Sequence, residues 1–426
     1  MQRTIEIDKE LRGHNPTQID AISIDGTSGT VVFLDNSLNP LRNAIMYKDM
    51  RAHKQTERIN EIASDFTERL GYQIQPSFAI SKILWVKENE EHIYRNTHFI
   101  LHQADYVSAK LTNKYDVTDH SNALKTAFDL IDYRWPDFIE KDLGLDLNKL
   151  PIVLRPGDVI APVSPEMRKE FGFKSETMVT AGMTDACASM IASGAIEPGD
   201  WNSTIGTTFT IKGVTKNLIN DNMGRIYSHL HPQGYWMPGG ASSTGGEALA
   251  VHFPGEDFVK LDSQCSKLKE SSIVMYPLLK KGERFPFNNI DAEGFIVGEP
   301  KNKLDYYLAH LEGVAFLERF SYEMLKNLGA EIGDNIYVTG GGSKSTLWNQ
   351  IRADVLGKKI VKPKEEETTM GSAIIAASKT YFKNVTDAAR SMVSIEKEFT
   401  PKEDETNRYE EKYDLLKEEF KKRGYI

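Results

Sequence analysis

Short apolar runs broken by glycine turns alternate along this chain with stretches whose apolar residues recur at helical spacing. The segment IDAISIDGTSGTVVFLDNSLNP, residues 19–40, predicts strand, glycine turn, strand and a second turn, so the core of an α/β lobe starts there. The preceding TIEIDKELRGHNPTQ reads as the tail of a surface helix. From Lys54 to about Lys110 the pattern is helical, with Ile59, Ile62, Phe66 and Leu70 on an apolar stripe and the intervening charges on a solvated face. TMVTAGM (177–183) predicts a strand that runs directly into DACASMIASGAI, a helix of small residues. After the turn EPGDW, the segment NSTIGTTFTIKGVT again predicts strand, glycine turn, strand. A lobe boundary between Glu197 and Trp201 follows, giving lobes of residues 1–197 and 198–426. The second lobe continues with a long amphipathic helix stopped near Gly329, a strand, glycine loop and helix in NIYVTGGGSKSTLWNQIRADVLG, and the strand KKIVKP. It closes with the small-residue helix GSAIIAASKTYF and a final helix carrying Tyr409, Tyr413, Leu416 and Phe420 on one face. Each lobe thus opens on a glycine-turned hairpin and later supplies a strand entering a small-residue helix. Two related α/β halves facing a cleft are predicted, with ligands where strand ends and helix N-termini converge.

Composition narrows the classes without altering that picture. The chain has 426 residues, 40% hydrophobic and 27% charged, which suits a soluble enzyme of two lobes rather than a disordered chain. Cys187 and Cys265 are too few for a disulfide framework or a four-ligand zinc site, and a reducing cytoplasm fits. No run approaches the roughly 18 apolar residues of a membrane span, and MQRTIEIDKELRGH has no signal-peptide core. A net charge of −9 argues against broad nucleic-acid binding and favours a small-molecule substrate. Anionic nucleotides remain admissible, because helix N-termini and backbone amides hold phosphates without net positive charge.

Several polar turns could carry chemistry. Asp185 follows a strand and begins a helix, so it is either an N-cap or a general base for a substrate hydroxyl, and Thr184 competes with it as the cap. Gly206-Thr207-Thr208 could cradle a phosphate or simply turn a hairpin. In Gly340-Gly341-Gly342-Ser343-Lys344-Ser345, three glycines clear side chains from a helix N-terminus. This loop approximates a dinucleotide fingerprint, but Lys-Pro stands where a ribose-binding acid is needed, and no Walker A sequence exists. Asp25-Gly26-Thr27-Ser28-Gly29 is either a tight turn or a site for phosphate or a polyhydroxy compound. Tyr47, Lys48, Asp49 and Arg51 read as surface, Asp119 and Asn122 as sugar-holding groups or a helix cap, and Lys364-Glu365-Glu366-Glu367 as solvated loop.

Taken in order, these segments resemble the FGGY carbohydrate kinases of the actin-like ATPase superfamily from about Ile19 to the C-terminus. AISIDGTSGTVVFLD with AIMYKDMR resembles the family's first sugar-site strand pair and W-x-D-x-R segment, with Tyr47 in place of tryptophan. KILWVKENE, DYVSAKLT and TDHSNALKTAFD resemble the helical insert over the sugar. LPIVLRPGDVIAPV, AGMTDACASMIASGAIEPGDWNSTIGTTFTI, YPLLKKGERFPF, HLEGVAFLER and YVTGGGSKSTLWNQIRADVLGKKIVKP follow at family-like intervals. The resemblance implies two ribonuclease H-like lobes around a cleft, a sugar-binding lobe followed by a nucleotide-binding one. It also implies transfer of phosphate from ATP, with Mg2+, to a hydroxyl of a ketose or polyol. By the same resemblance Asp185 is the catalytic base, and Ser28, Thr27 and Asp49 contact sugar. Gly206, Thr207, Thr208, Gly245, Gly246, Gly341, Gly342 and Ser345 hold the nucleotide. IDGTSGT, SNALKT, GGASSTGGEAL and YPLLKKGERFPF are most similar to the D-ribulose kinase group, ahead of xylulose, gluconate and glycerol kinases. A homodimer is the family-level expectation, and no metal ligand is assigned.

One departure from the pattern concerns the chain start. Family members begin with a strand, an Asp-x-Gly-Thr turn and a return strand, and none precedes Ile19 here. Asp25-Gly26-Thr27 lacks the intervening residue and lies too close to Asp185 to replace it. The first lobe is therefore expected to lack its leading strands and to expose a sheet edge. A start codon assigned too late is the favoured explanation, ahead of a gene fragment or a non-catalytic sugar- or nucleotide-binding relative.

Overall fold

A computed structural model describes residues 15–426, so most of the segment expected to be a helix tail lies outside the described residues. Asn15 caps a single 3-10 turn, Pro16–Gln18, just before the first strand. By internal contacts the chain divides into two compact units. The first holds the residues up to Ala192 with His229–Gly234 and Glu367–Met392, and the second holds Ser193–Ser228, Tyr235–Glu366 and Val393–Ile426. Both are mixed α/β. Among the described residues, no helix is long and apolar enough to cross a membrane.

In the first unit β1 (Ala21–Gly26) pairs in parallel with β7 (Met178–Thr184), which pairs antiparallel with β6 (Val159–Pro162). The sheet order is β1-β7-β6, and every residue of the terminal strand β1 is half-buried. Here the expected opening hairpin is corrected. The strand after the glycine turn, β2 (Val31–Leu34), pairs not with β1 but with β3 (Phe99–His102), antiparallel. The burial pattern gives the reason. All four residues of β2 are buried, as a strand covered on both faces requires. In β1, Ile22 and Ile24 pack beside Val179 and Phe171 in a separate cluster. The turn at residues 27–30, with Gly29 at φ +86°, hands the chain from one sheet to another. A third pairing, parallel, joins β4 (Val117–Asp119) to β5 (Ile152–Leu154).

The helical stretch forms as the helices His53–Ile62, Ser64–Leu70, Ala79–Asn89, Glu91–Asn96 and Gln103–Thr112, interrupted by β3. Ile59, Phe66 and Leu70 are buried, whereas Ile62 ends its helix exposed. Helix Thr368–Ala377 packs on β1 and β7. An added Cβ on its Gly371 would stand 1.9 Å from the Ala188 carbonyl oxygen, so only glycine permits this approach to helix Asp185–Ser193.

The second unit is built on a seven-stranded sheet of order β10-β11-β9-β8-β14-β15-β16. Its strands are β8 (Trp201–Ile205), β9 (Phe209–Gly213), β10 (Ile226–Leu230), β11 (Trp236–Ala241), β14 (Asn335–Thr339), β15 (Lys359–Pro363) and β16 (Ile395–Phe399). Between β11 and β14 in sequence, β12 (Val274–Tyr276) and β13 (Phe295–Val297) form a separate antiparallel pair. The expected hairpin does form here: β8 and β9 pair antiparallel from Trp201 opposite Gly213 to Ile205 opposite Phe209. Helix Lys303–Asn327 ends before Gly329 at φ +93°. The final helix, Glu403–Lys422, buries Tyr409, Tyr413, Leu416 and Phe420 as its spacing predicts.

A buried ion pair ties helix Lys303–Asn327 and helix Thr346–Leu356 to the sheet. Arg352 and Glu318, both 0% exposed, meet through Nε–Oε2 at 2.7 Å and Nη2–Oε1 at 2.8 Å, and Arg352 also reaches the Ser203 carbonyl in β8. Arg352→Leu should strand a buried carboxylate and lower stability by about 3–5 kcal/mol, read as the shift in urea midpoint. Replacing both partners by leucine should recover most of that loss. A single variant as stable as the wild type would contradict this role.

Candidate active site

Strands β8 and β14 are parallel neighbours, registered from Trp201 opposite Ile336 to Thr204 opposite Thr339, so their following loops leave the sheet on one edge. After β8 comes Gly206-Thr207-Thr208, and after β14 comes Gly340 followed by a 3-10 turn, Gly341–Lys344. Thr204 and Thr339 hydroxyls join the two strand ends at 2.6 Å. A Cβ on Gly340 would lie 2.8 Å from the Ile205 carbonyl oxygen, and one on Gly342 would lie 2.8 Å from Ile205 Cβ. Ser345 is the N-cap of helix Thr346–Leu356 and accepts from Trp348 N at 2.9 Å. The three glycines therefore lead into and begin a short turn rather than opening the helix directly.

A third loop, residues 242–247, lies backbone against backbone on the first. Gly246 N donates to Gly206 O at 2.9 Å, Glu247 N to Thr207 O at 3.0 Å, and Phe209 N to Thr244 O at 2.7 Å. A Cβ on Gly245 would stand 2.5 Å from Thr208 Cα, and one on Gly246 would stand 2.6 Å from Gly206 O. Gly206, Thr207, Thr208, Gly245, Gly246, Gly341 and Gly342 thus gather within the second unit at the C-terminal ends of parallel strands. Fixed backbone dipoles on such an edge suit an anionic or flat ligand.

In the first unit Asp185 opens its helix half-buried, accepting the Ala186 amide at 2.7 Å through Oδ1. Burial raises its carboxyl above the ordinary value, the Ala186 amide opposes that, and the charge of Asp25 adds to the rise. Asp25, next to last in β1, accepts the Ser372 hydroxyl at 2.5 Å. The competing cap does not form: Thr184 Oγ1 is buried without a hydrogen bond, since Thr184 is still strand. Thr184 N instead donates to Ser121 Oγ at 2.9 Å. Asp119 resolves as a helix cap, accepting Ser121 N, Asn122 N and Asn122 Nδ2.

The Thr27 hydroxyl accepts Gln103 Nε2 at 3.0 Å, and Ser28 sits half-buried in the same turn. Both oxygens of Asp49 are engaged by Arg51, which lowers its carboxyl, and the Arg51 guanidinium lies 4.9 Å from the Trp85 ring centroid. Two further residues emerge that the sequence did not single out. Lys82 is fully buried and donates to the carbonyls of Gly29, Met46 and Tyr47 at 3.0, 2.8 and 3.2 Å, joining the turn that holds Thr27 and Ser28 to the segment that holds Asp49. Its place on the apolar face of helix Ala79–Asn89 was the available signal. Glu366, expected in a solvated loop, accepts Gly340 N at 2.7 Å and Ser343 Oγ at 2.6 Å and so fixes the glycine loop.

Comparison with known proteins covers nearly the whole chain. Residues 1–192 match the N-terminal domain of the FGGY family of carbohydrate kinases, and residues 199–380 match its C-terminal domain. The chain is 27% identical to a xylulose kinase of Bacillus subtilis over 98% of its own length and 86% of that protein's. It is 26% identical to a gluconokinase of the same organism, covering 93% and 81%. In structure it is similar to a xyloylose kinase from Brucella ovis, with a TM-score of 0.88 and 23% identity over 99% of this chain and 88% of that one. Because the matches span the described chain from its first strand, the expected loss of leading strands gains no support from them.

Lys82 yields a prediction about stability. Burial lowers it to about 8 from an ordinary 10.5, so across that window the folded protein has released a proton that the unfolded chain keeps. The cost of burying the charge is present in full below the lowered value and fades as pH rises towards the ordinary one. Wild-type stability relative to Lys82→Met should therefore climb across that interval, by about 3 kcal/mol, in urea titrations at stepped pH. A difference that stays flat with pH would show that the buried ammonium carries no such cost.

Proposed function

The chain belongs to the FGGY family of carbohydrate kinases, phosphotransferases that act on an alcohol group, and on that premise we propose that it transfers the γ-phosphate of ATP to a hydroxyl of a ketose, D-ribulose first among candidates. The observation that carries the nucleotide half of this reading is the second unit's backbone cradle, where glycines 245, 246, 340 and 342 leave no room for side chains. Phosphates are recognised by such oriented amides. Gly206–Thr208, Gly245–Gly246 and Gly341–Gly342 are the proposed nucleotide-binding residues, with Ser345 capping the helix behind them. Bound ATP supplies the transferable phosphoryl group. Mg2+ fits as a companion of the nucleotide, because it keeps several waters and binds chiefly through phosphates. Among the described residues, no group of three or more His, Cys, Asp or Glu side chains is arranged to hold a metal.

Residues 1–197 are proposed as the sugar-binding lobe and 198–426 as the nucleotide-binding lobe. Asp185 accepts the proton of the attacking hydroxyl. Its raised affinity for protons makes it a better base than an ordinary aspartate. Ser28 and Thr27 offer hydroxyls to the sugar, and Asp49, held by Arg51, offers a fixed carboxylate. Support for D-ribulose is the wording of IDGTSGT, SNALKT and YPLLKKGERFPF. The names of the relatives bring D-xylulose and gluconate into the test panel.

The assay is ADP release with D-ribulose, D-xylulose, gluconate and glycerol. Turnover of D-ribulose at the highest kcat/KM is expected, and preference for another acceptor would reassign the substrate while keeping the kinase. Asp185→Asn should lower kcat by about 10²–10⁴-fold, the usual share of general-base catalysis. Asp185 works deprotonated, so activity should fall as pH drops through its raised value. Removing the Asp25 charge by Asp25→Asn should move that acid limb to lower pH. Full activity in Asp185→Asn would refute the assignment of the base.

A further inference from the structure

Glu283 has no part in the site as described so far, yet it is only 2% exposed and takes six donors, the weakest being Phe285 N at 3.5 Å. Its carboxylate accepts Ser242 Oγ at 2.8 Å, Ser243 N at 2.6 Å, Thr244 Oγ1 at 3.1 Å, Tyr276 OH at 2.8 Å and Arg284 N at 2.9 Å. Three of these donors are consecutive residues, 242–244, immediately before Gly245 and Gly246. That same stretch is zipped to the neighbouring turn, since Ser242 N donates to Phe209 O at 2.9 Å and Phe209 N to Thr244 O at 2.7 Å. Arg284 closes the other end, its Nε reaching the Ala241 carbonyl at 2.8 Å.

An ionised carboxylate has about four lone-pair sites and donates nothing, so it suits a ring of converging donors. Burial and the Glu283 charge push the Tyr276 phenol well up, which keeps it a donor. Glycines 245 and 246 give this loop freedom that only external contacts can remove, and among the described residues Glu283 supplies the greatest number of side-chain contacts to it.

We propose that Glu283 is a positioning residue for the nucleotide phosphates, holding residues 242–246 against Gly206–Thr208 so that the backbone cradle is formed before the ligand arrives. The proposal rests on the nucleotide reading of those turns. Preorganisation of this kind spares the ligand the cost of ordering a glycine loop, so its loss appears in nucleotide affinity rather than in sugar affinity. Glutamine at this position keeps the shape but turns an amide NH2 towards donors that need an acceptor.

The test is calorimetric titration of the full chain with ADP and Mg2+, together with steady-state kinetics, for wild type, Glu283→Gln and Thr244→Val. Glu283→Gln should raise the ADP Kd and the ATP KM about tenfold or more while the sugar KM changes less than about twofold. Thr244→Val removes one donor and keeps the carboxylate, so it should raise the same two constants by a smaller factor. This second variant carries the test if the first does not fold. ADP binding as tight as wild type in the folded variants, or ATP and sugar KM rising together, would overturn the positioning role and leave the nucleotide reading intact. Failure of the wild-type chain to bind ADP would overturn both.

Discussion

A side chain at Gly245 or Gly246 would strike the backbone of Thr208 or Gly206, and the proposed nucleotide site depends on this exclusion. With no Cβ in the way, two turns exchange amide hydrogen bonds directly, leaving a patch of main-chain dipoles at the end of β8. Gly340 and Gly342 extend the same rule to the loop after β14, where Ile205 occupies the space a side chain would need. Glycine alone gives proximity without order, however. Order comes from carboxylates placed outside the turns: Glu366 grips Gly340 and Ser343, and Glu283 grips residues 242–244. Acidic residues beside an anion site would be repulsive if free. Here their oxygens are filled by protein donors, which directs their charge into the scaffold.

The first unit uses a different economy. Its candidate residues are side chains, and their placement rests on polar contacts between distant segments. Lys82 gathers three carbonyls from two segments, Gln103 reaches Thr27, and Ser121 links the Asp119 cap to the strand end that carries Asp185. Asp185 itself shows a balance of opposed effects, with burial and Asp25 favouring the proton and the helix amide favouring the charge. A base near a neutral working pH requires such a compromise, since an unopposed cap would hold the proton too weakly.

These two economies explain what was legible in the sequence. Glycine-centred turns and amphipathic helices announce themselves locally, so β8, β9, β14 and the final helix with Tyr409, Tyr413, Leu416 and Phe420 were readable from spacing alone. The pairing of β1 with β7 was not, because two strands flanking a glycine turn look alike whether they pair with each other or diverge. Only the burial of all four residues of β2 separates the cases, and that depends on chain far downstream. Lys82 and Glu366 were hidden for a related reason. A lysine within KILWVKENE and a glutamate within a charged run carry the composition of surface, while their partners lie 23 or more residues away.

Where substrate choice resides follows from the same contrast. A cradle made of main chain presents the same groups whatever the surrounding side chains, so relatives with different acceptors can share it. A site made of side chains tied by long-range hydrogen bonds changes when one partner changes. In the proposed sugar-binding unit, Gly26 has Gln103 Nε2 only 2.8 Å from where a Cβ would stand, and that same amide holds Thr27. A substitution at Gln103 would therefore free space beside Gly26 and release a hydroxyl in one step. Differences of acceptor among proteins of this fold are best sought in such coupled pairs rather than in the glycine turns.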